Sequence, residues 1–145
     1  MPFDAPIEAG QVLIFARSVG ATDPRFEAQL SSAHGTPLLT PLTFVRALDH
    51  FDPGAKTRPS LPRQEAGRGG RADTLHAEQH FEYFAPFRAG EHVVVESFEG
   101  GSWTKAGRNG RLTFTETVTE YRDREGTLLV RARKVSVRIG DEQRA

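Results

Sequence analysis

The sequence predicts an α+β protein in which two helices accompany an antiparallel sheet. Three observations carry this. Helical spacing is confined to the first third of the chain, the second half carries strand-like runs, and polar or glycine-bearing turns separate those runs.

The stretch Leu75 to Phe98, LHAEQHFEYFAPFRAGEHVVVESF, anchors the reading. Leu75, Ala77, Phe81 and Tyr83 fall on one face and His76, Glu78, His80 and Glu82 on the other, the pattern of a half-buried strand. Pro86 removes a ladder donor and Gly90 permits a tight bend, so FAPFRAGE interrupts the run. Val93, Val94 and Val95 then open a second strand, expected to pair with the first.

Taken from the start, a short extended segment leads into Gly10 to Gly20, where Val12, Phe15, Ala16 and Val19 share one helical face and Gly20 supplies a stop. A buried strand is the competing reading, because Val12 to Ala16 is continuously apolar. ATDPRFEAQLSSAHGTP is turn-rich, with Asp23 pushed toward extended geometry by Pro24. Thr40 as N-cap and Pro41 at the first position start a second helix, with Phe44, Ala47, Leu48 and Phe51 on one face and Asp52-Pro53-Gly54 at its end.

Residues 52–73 then read as a Gly/Pro/Arg-rich loop, either a mobile lid or disordered. Its Lys56, Arg58, Arg63, Arg68 and Arg71 read first as a solvated linker and second as contacts for ligand phosphates. In the last third, Leu112, Phe114 and Val118 share one strand face and Thr113, Thr115, Thr117 and Thr119 the other. Arg122 to Gly126 is a polar turn. From Leu128 the apolar set runs on even positions (Leu128, Val130, Ala132) and then on odd ones (Val135, Val137, Ile139), which predicts a β-bulge near Arg133 and Lys134.

Length and composition bound the function. At 145 residues the chain is expected to form a single domain over residues 1–145. Cysteine is absent, which removes disulfides, thiolate metal sites and a cysteine nucleophile. Nineteen basic and nineteen acidic residues leave no global field for nucleic acid. No apolar run reaches the roughly 18 residues of a membrane span, and MPFDAPIEAG lacks the pattern of a secretory leader, so a cytoplasmic location is expected.

Three stretches, FARSVGATDPRF, TPLTFVRAL and LHAEQHFEYFAPFRAGEHV, with the closing EYRDREGTLLVRARKVSV, resemble the N-terminal, fatty-acid-synthase-dehydratase-like branch of the MaoC-type (R)-specific hydratases. The resemblance covers nearly the whole chain and is most specific in His76 to Gly90. It implies a hot-dog fold, an antiparallel sheet wrapped around a central helix. It also implies an acyl-CoA or acyl-carrier-protein thioester as substrate, another hot-dog subunit as partner in a hetero- or homodimer, and no cofactor.

In the catalytic branch the motif is Asp, any residue, Asn, Pro, any residue, His, and its aspartate and histidine handle the water that adds to or leaves an unsaturated acyl thioester. Laid on this chain, the motif's proline falls on Pro24, its asparagine on Asp23, its aspartate on Ala21 and its histidine on Phe26. Neither a methyl nor a phenyl group moves protons, so the resemblance implies a non-catalytic partner that shapes the acyl channel. Phe26, Thr40 and Phe44 would then line that channel beside His76 and Gln79; plain core is the competing reading for Phe44.

Other residues carry weaker signals. His76, Glu78 and His80 have a spacing that can hold a metal, but a polar sheet face or subunit contact is the simpler reading, so no metal is expected. Asp23 and His76 are the fallback candidates for chemistry, although an aspartate before proline commonly caps its turn. His34 and His50 lack an evident carboxylate partner, and Ser18, Ser31 and Ser32 stand in no nucleophile elbow.

The leading expectation is therefore a subunit of an acyl-thioester hydratase or dehydratase. Its rivals are a stand-alone acyl-CoA-binding protein and a thioesterase using a carboxylate such as Glu78. The Thr-lined face and the open edge of a small sheet predict at least a dimer. Residues 54–73, with no apolar face, should be the first segment cut in limited proteolysis; a resistant segment would mean that it is docked.

Overall fold

Among the described residues, glycine and proline divide the chain into the elements of a five-stranded sheet, one α-helix and one 3₁₀ helix. The computed structural model describes residues 1–21, 23–24, 38–54, 74–108 and 110–139. In order these are β1 (Phe3–Pro6), α1 (Ala9–Ser18), a 3₁₀ helix (Leu42–Phe51), β2 (Thr74–Tyr83), β3 (His92–Gly107), β4 (Gly110–Arg122) and β5 (Leu128–Ile139). The sheet is antiparallel with strand order β1-β3-β4-β5-β2. Phe26, His34, Ser31 and Ser32, and most of the basic loop, lie outside the described residues.

That order corrects the expected pairing of β2 with β3. β2 lies beside β5 at the edge of the sheet, while β3 runs between β1 and β4. The segment between β2 and β3 is not a tight turn. Its amides are taken by other parts of the chain: Phe84 and Ala85 donate to the Leu129 carbonyl, Ala89 to Leu38 and Gly90 to Ile7. The extended start of the chain is a true strand, with Phe3 opposite Val95 and Pro6 opposite His92. Pro6 is tolerated because β1 is an edge strand.

The chain forms two compact units. One comprises Met1–Ala55, Glu82–Glu96 and Glu120–Arg131; the other comprises Lys56–Phe81, Ser97–Thr119 and Ala132–Ala145. In the first unit, α1 buries Val12 and Ala16, which settles the helix against the strand reading, and the 3₁₀ helix buries Phe44, Val45 and Leu48. Val45 is buried in place of the expected Ala47, which is half-buried; Val45 and Leu48 align at the three-residue repeat of a 3₁₀ helix. These residues pack with Ala5, Ile7, Phe87, Val93, Val95, Tyr121 and Val130, all essentially inaccessible to solvent. Phe15 meets Phe44 edge-on at 5.5 Å, and Phe87 lies 6.0 Å from Tyr121.

Thr40 does not cap this helix. The Thr40 amide donates to Phe87, and Leu39 bridges Arg88, so residues 38–40 pair as a strand until Pro41 interrupts. At its other end, Asp52 Oδ1 accepts the Gly54 amide at 2.7 Å and stops the helix where the sequence placed its end. An ion network on β4 and β5 joins Glu120 to Arg122 at 2.6 Å and to Arg131 at 3.0 Å, and Arg131 also reaches Glu82.

In the second unit, β2 is more open than its alternation implied. Gln79 and Phe81 are half-buried, and Leu75 is exposed. Thr119 is buried against Ser97 Oγ at 2.9 Å, but Thr115 and Thr117 face water. The burial phase of β5 changes as the sequence predicted, from Val130 and Ala132 to Val135, with Arg133 and Lys134 half-buried between them. A second phase change occurs in β3. Ser97 shares a face with Thr119, yet Trp103, of the same parity as Ser97, stacks on Phe114, of opposite parity to Thr119. One extra residue intervenes, and Gly100-Gly101 is where the chain accommodates it. A Cβ on Gly100 would meet Glu116 Cγ at 2.8 Å, so any larger residue there would have to displace the Glu116 side chain.

Gly20 is the glycine on which α1 depends. Its φ is +68°, its amide donates to Arg17, and the Ala21 amide donates to Ala16, the paired bonds of a Schellman stop. No atom lies within 4 Å of a built Cβ there, so Gly20→Ala should cost only the backbone strain, about 1 kcal/mol, read as a lower denaturation midpoint with unchanged slope.

Candidate functional site

The Schellman stop also fixes the position where the hydratase motif would carry its aspartate. Ala21 follows Gly20, is half-buried, and is held by the 2.8 Å bond from its amide to the Ala16 carbonyl. Only a methyl group projects there. Asp23 is half-buried two residues on and Pro24 is exposed; Phe26, at the motif's histidine position, is outside the described residues.

In the same unit, Phe44 is fully buried against Phe15, and Thr40 is half-buried beside Phe87. Two polar contacts near the 3₁₀ helix escaped the sequence reading. Tyr83 donates from its hydroxyl to the Leu42 carbonyl at 2.8 Å, and the Tyr121 hydroxyl donates to Asp49 Oδ1 at 2.9 Å. Asp49 Oδ2 in turn meets Arg46 at 2.7 Å. Burial pushes the Tyr121 phenol well above its ordinary value, and the Asp49 carboxylate adds to the shift, so the hydroxyl stays protonated and donating.

The second unit holds the β2 candidates but does not bring them to one place. His76 is exposed, on the face of Glu78 and His80, whereas Gln79 lies on the opposite face and donates from Nε2 to the Arg133 carbonyl at 3.3 Å. His80 Nε2 contacts Glu78 Oε2 at 2.9 Å, and that hydrogen bond holds the Glu78 carboxyl below its usual value. Among the described residues, no group of three histidines or carboxylates stands at metal-binding distance.

Sequence reasoning also missed a groove of about 460 Å³ in the first unit, lined by residues that include Arg88, Glu91, His92, Asp123, Arg124 and Leu129. At its rim, His92 Nδ1 lies 2.8 Å from Asp4 Oδ2, and Arg124 binds the same carboxylate at 3.0 Å. Arg124 first, then His92, lowers the Asp4 pKa, so this carboxylate is engaged as an anion and is a poor proton acceptor.

The sheet and helices place the molecule in the hot-dog class. Within it, the chain belongs to the family of the FAS1-like, dehydratase domain region, whose sequence profile matches residues 1–132. No curated protein sequence matches significantly. Among solved structures, a chain of the ChsH1-ChsH2 complex from Mycobacterium tuberculosis is similar at TM-score 0.73 and 13% identity, over 98% of this chain and 84% of that one. A chain of the C-terminally truncated HadBC (3R-hydroxyacyl-ACP dehydratase) complex from the same organism gives 0.62 and 19%, over 94% of each. The R-hydratase PhaJ1 from Pseudomonas aeruginosa gives 0.59 and 14%, over 98% of this chain and 80% of that one. At these identities the likeness is one of fold.

The Asp49–Tyr121 bond is the polar contact of this region most open to test. Tyr121→Phe, which keeps the ring, should destabilise the protein by about 1–2 kcal/mol, because Asp49 keeps Arg46 while losing one donor. A change of under a few tenths in chemical denaturation would show that water replaces the hydroxyl.

Proposed function

We propose that this chain is the non-catalytic subunit of a MaoC-like (R)-specific enoyl/3-hydroxyacyl thioester hydratase, or dehydratase in the reverse direction, and that its dyad-bearing partner is another hot-dog chain. The observation that carries the reading is Ala21. A methyl group stands at the end of α1 where the chemistry needs a carboxylate to position and activate water, and Asp23 is displaced from that position by two residues.

Two further observations support the partnership. β2 is a ten-residue edge strand, a ready template for another chain, and exposes Leu75 and Tyr83. Similar folds include chains named as members of two-component complexes. In this reading Thr40, Phe44 and Phe26 shape the acyl channel, Phe44 as the buried wall residue behind Phe15, and Gln79 holds β2 through the Arg133 carbonyl. The acyl group is carried as a CoA or carrier-protein thioester. Glu78 is exposed and engaged by His80, which argues against its use as the carboxylate of a thioesterase.

The experiment is hydration of a short enoyl-CoA by the chain alone and with a dyad-bearing hot-dog partner. The chain alone should give no rate above background, since each missing proton-transfer group is worth on the order of 10² to 10⁴. Activity should appear on mixing. Robust hydration by the isolated chain would overturn the assignment and direct attention to Asp23 and His76.

A further inference from the structure

The helix that carries Phe44 is of the tighter kind throughout. All ten residues from Leu42 to Phe51 are in 3₁₀ geometry, with three-residue hydrogen bonds at both ends: the Phe44 amide donates to Pro41 at 2.9 Å and the Asp52 amide to Asp49 at 3.2 Å. Such runs seldom exceed about three or four residues, because their hydrogen bonds are poorer in geometry than those of an α-helix. The residues themselves do not favour this form. Phe44, Ala47, Leu48 and Phe51 have the spacing of one α-helical face, yet Ala47 and Phe51 are only half-buried.

Contacts from outside the helix hold it in the tighter form. The Tyr83 hydroxyl donates to the Leu42 carbonyl at 2.8 Å, and the Tyr121 hydroxyl donates to Asp49 Oδ1 at 2.9 Å, so the helix is pinned at two points seven residues apart. Over that interval a 3₁₀ helix rises about 14 Å and an α-helix about 10 Å, and the two differ in turn by about 140°. An α-helix cannot keep both bonds. Tyr121 is inaccessible to solvent, whereas Tyr83 is exposed at the end of the edge strand β2 and is followed by the exposed Phe84. Tyr83 is therefore the pin that an outside molecule can reach.

We propose that Leu42–Phe51 is a two-state element, latched in the 3₁₀ form by Tyr83 and rewound into an α-helix when a partner chain occupies the edge of β2. The trigger rests on the hydratase reading above; the latch does not. A chain seated on that edge packs against Tyr83 and draws its hydroxyl from the Leu42 carbonyl, which then accepts the Arg46 amide as an α-helix requires. With Asp49 still held by Tyr121, rewinding turns Phe44 by about 100° relative to Asp49. The channel wall of the proposed function is thus set only in the assembled pair.

The chain has no cysteine, so a pair of introduced labels reads this helix alone. Thr43→Cys with His50→Cys places nitroxides at two exposed positions seven residues apart. An α-helix brings them onto nearly one line about 10 Å apart, whereas the 3₁₀ form sets them about 14 Å along the axis and about 120° around it. Spin-label distances in the full chain should show the long separation alone and the short one at saturation with a dyad-bearing hot-dog partner. Adding Tyr83→Phe, which keeps the ring, should raise the ratio of short to long separation about fivefold without any partner, as the loss of one hydrogen bond implies.

A short separation in the partner-free chain with Tyr83 intact would overturn the proposal. So would an unaltered distance distribution in the Tyr83→Phe chain, or a separation that stays long once the complex has formed. A complex that hydrates enoyl-CoA with the helix unmoved would remove the switch and leave the function standing. Failure to form a complex would count against the hydratase reading, and the Tyr83→Phe distances would then decide the latch by themselves.

Discussion

The first unit depends on holding a short 3₁₀ helix against the sheet. Phe44, Val45 and Leu48 supply the apolar part, each essentially inaccessible to solvent. Burying Tyr121 in the same core creates an obligation, because a phenol removed from water must find a partner for its hydroxyl. Asp49 meets it from the polar side of the helix, and Arg46, three residues earlier, pairs with the other oxygen of that carboxylate. The polar contact therefore fixes rotation of the helix about its axis, which apolar burial alone leaves loose. Phe44, and with it the proposed channel wall, inherits its position from that choice.

Much of this fold was legible in the residues, and the failures share a cause. The helix ending at Gly20, the stop at Asp52 to Gly54 and the phase change of β5 all follow from local chemistry, and all appear. Strand pairing does not follow from local chemistry. β2 and β3 are neighbours in sequence, yet β2 pairs with β5 because the amides of the connecting segment are satisfied by Leu129, Leu38 and Ile7. No residue type announces such partners. Thr40 misled for a related reason: Thr-Pro before an amphipathic run reads as a cap and first turn, but Phe87 claims the Thr40 amide and the helix begins after the proline.

The candidate site divides along the same line. The backbone anchor of Ala21 was legible through Gly20, since a glycine in the left-handed region brings the next amide back onto the helix. The Asp49–Tyr121 contact joins residues 72 apart and has no signature in either segment. For His76 and Gln79, alternation alone places odd and even residues of a strand on opposite faces. A common lining role for the two was thus already in tension with the pattern that defined β2.

The same constraints explain why the catalytic carboxylate is not simply one substitution away. A half-buried carboxylate requires donors to remain charged, and an aspartate whose proton is not held elsewhere needs a basic partner to pass it on. At position 21 the backbone amide is already spent on Ala16, closing the helix, and cannot serve a side chain. On the proposed reading, activity within this chain would require an aspartate, its donors and an imidazole at position 26 together. Pairing with a chain that already holds all of them demands only an edge. β2 offers one ten residues long. On the proposed reading, the missing dyad and the open sheet edge are two aspects of one division of labour, in which this chain would supply surface and shape and its partner the proton chemistry.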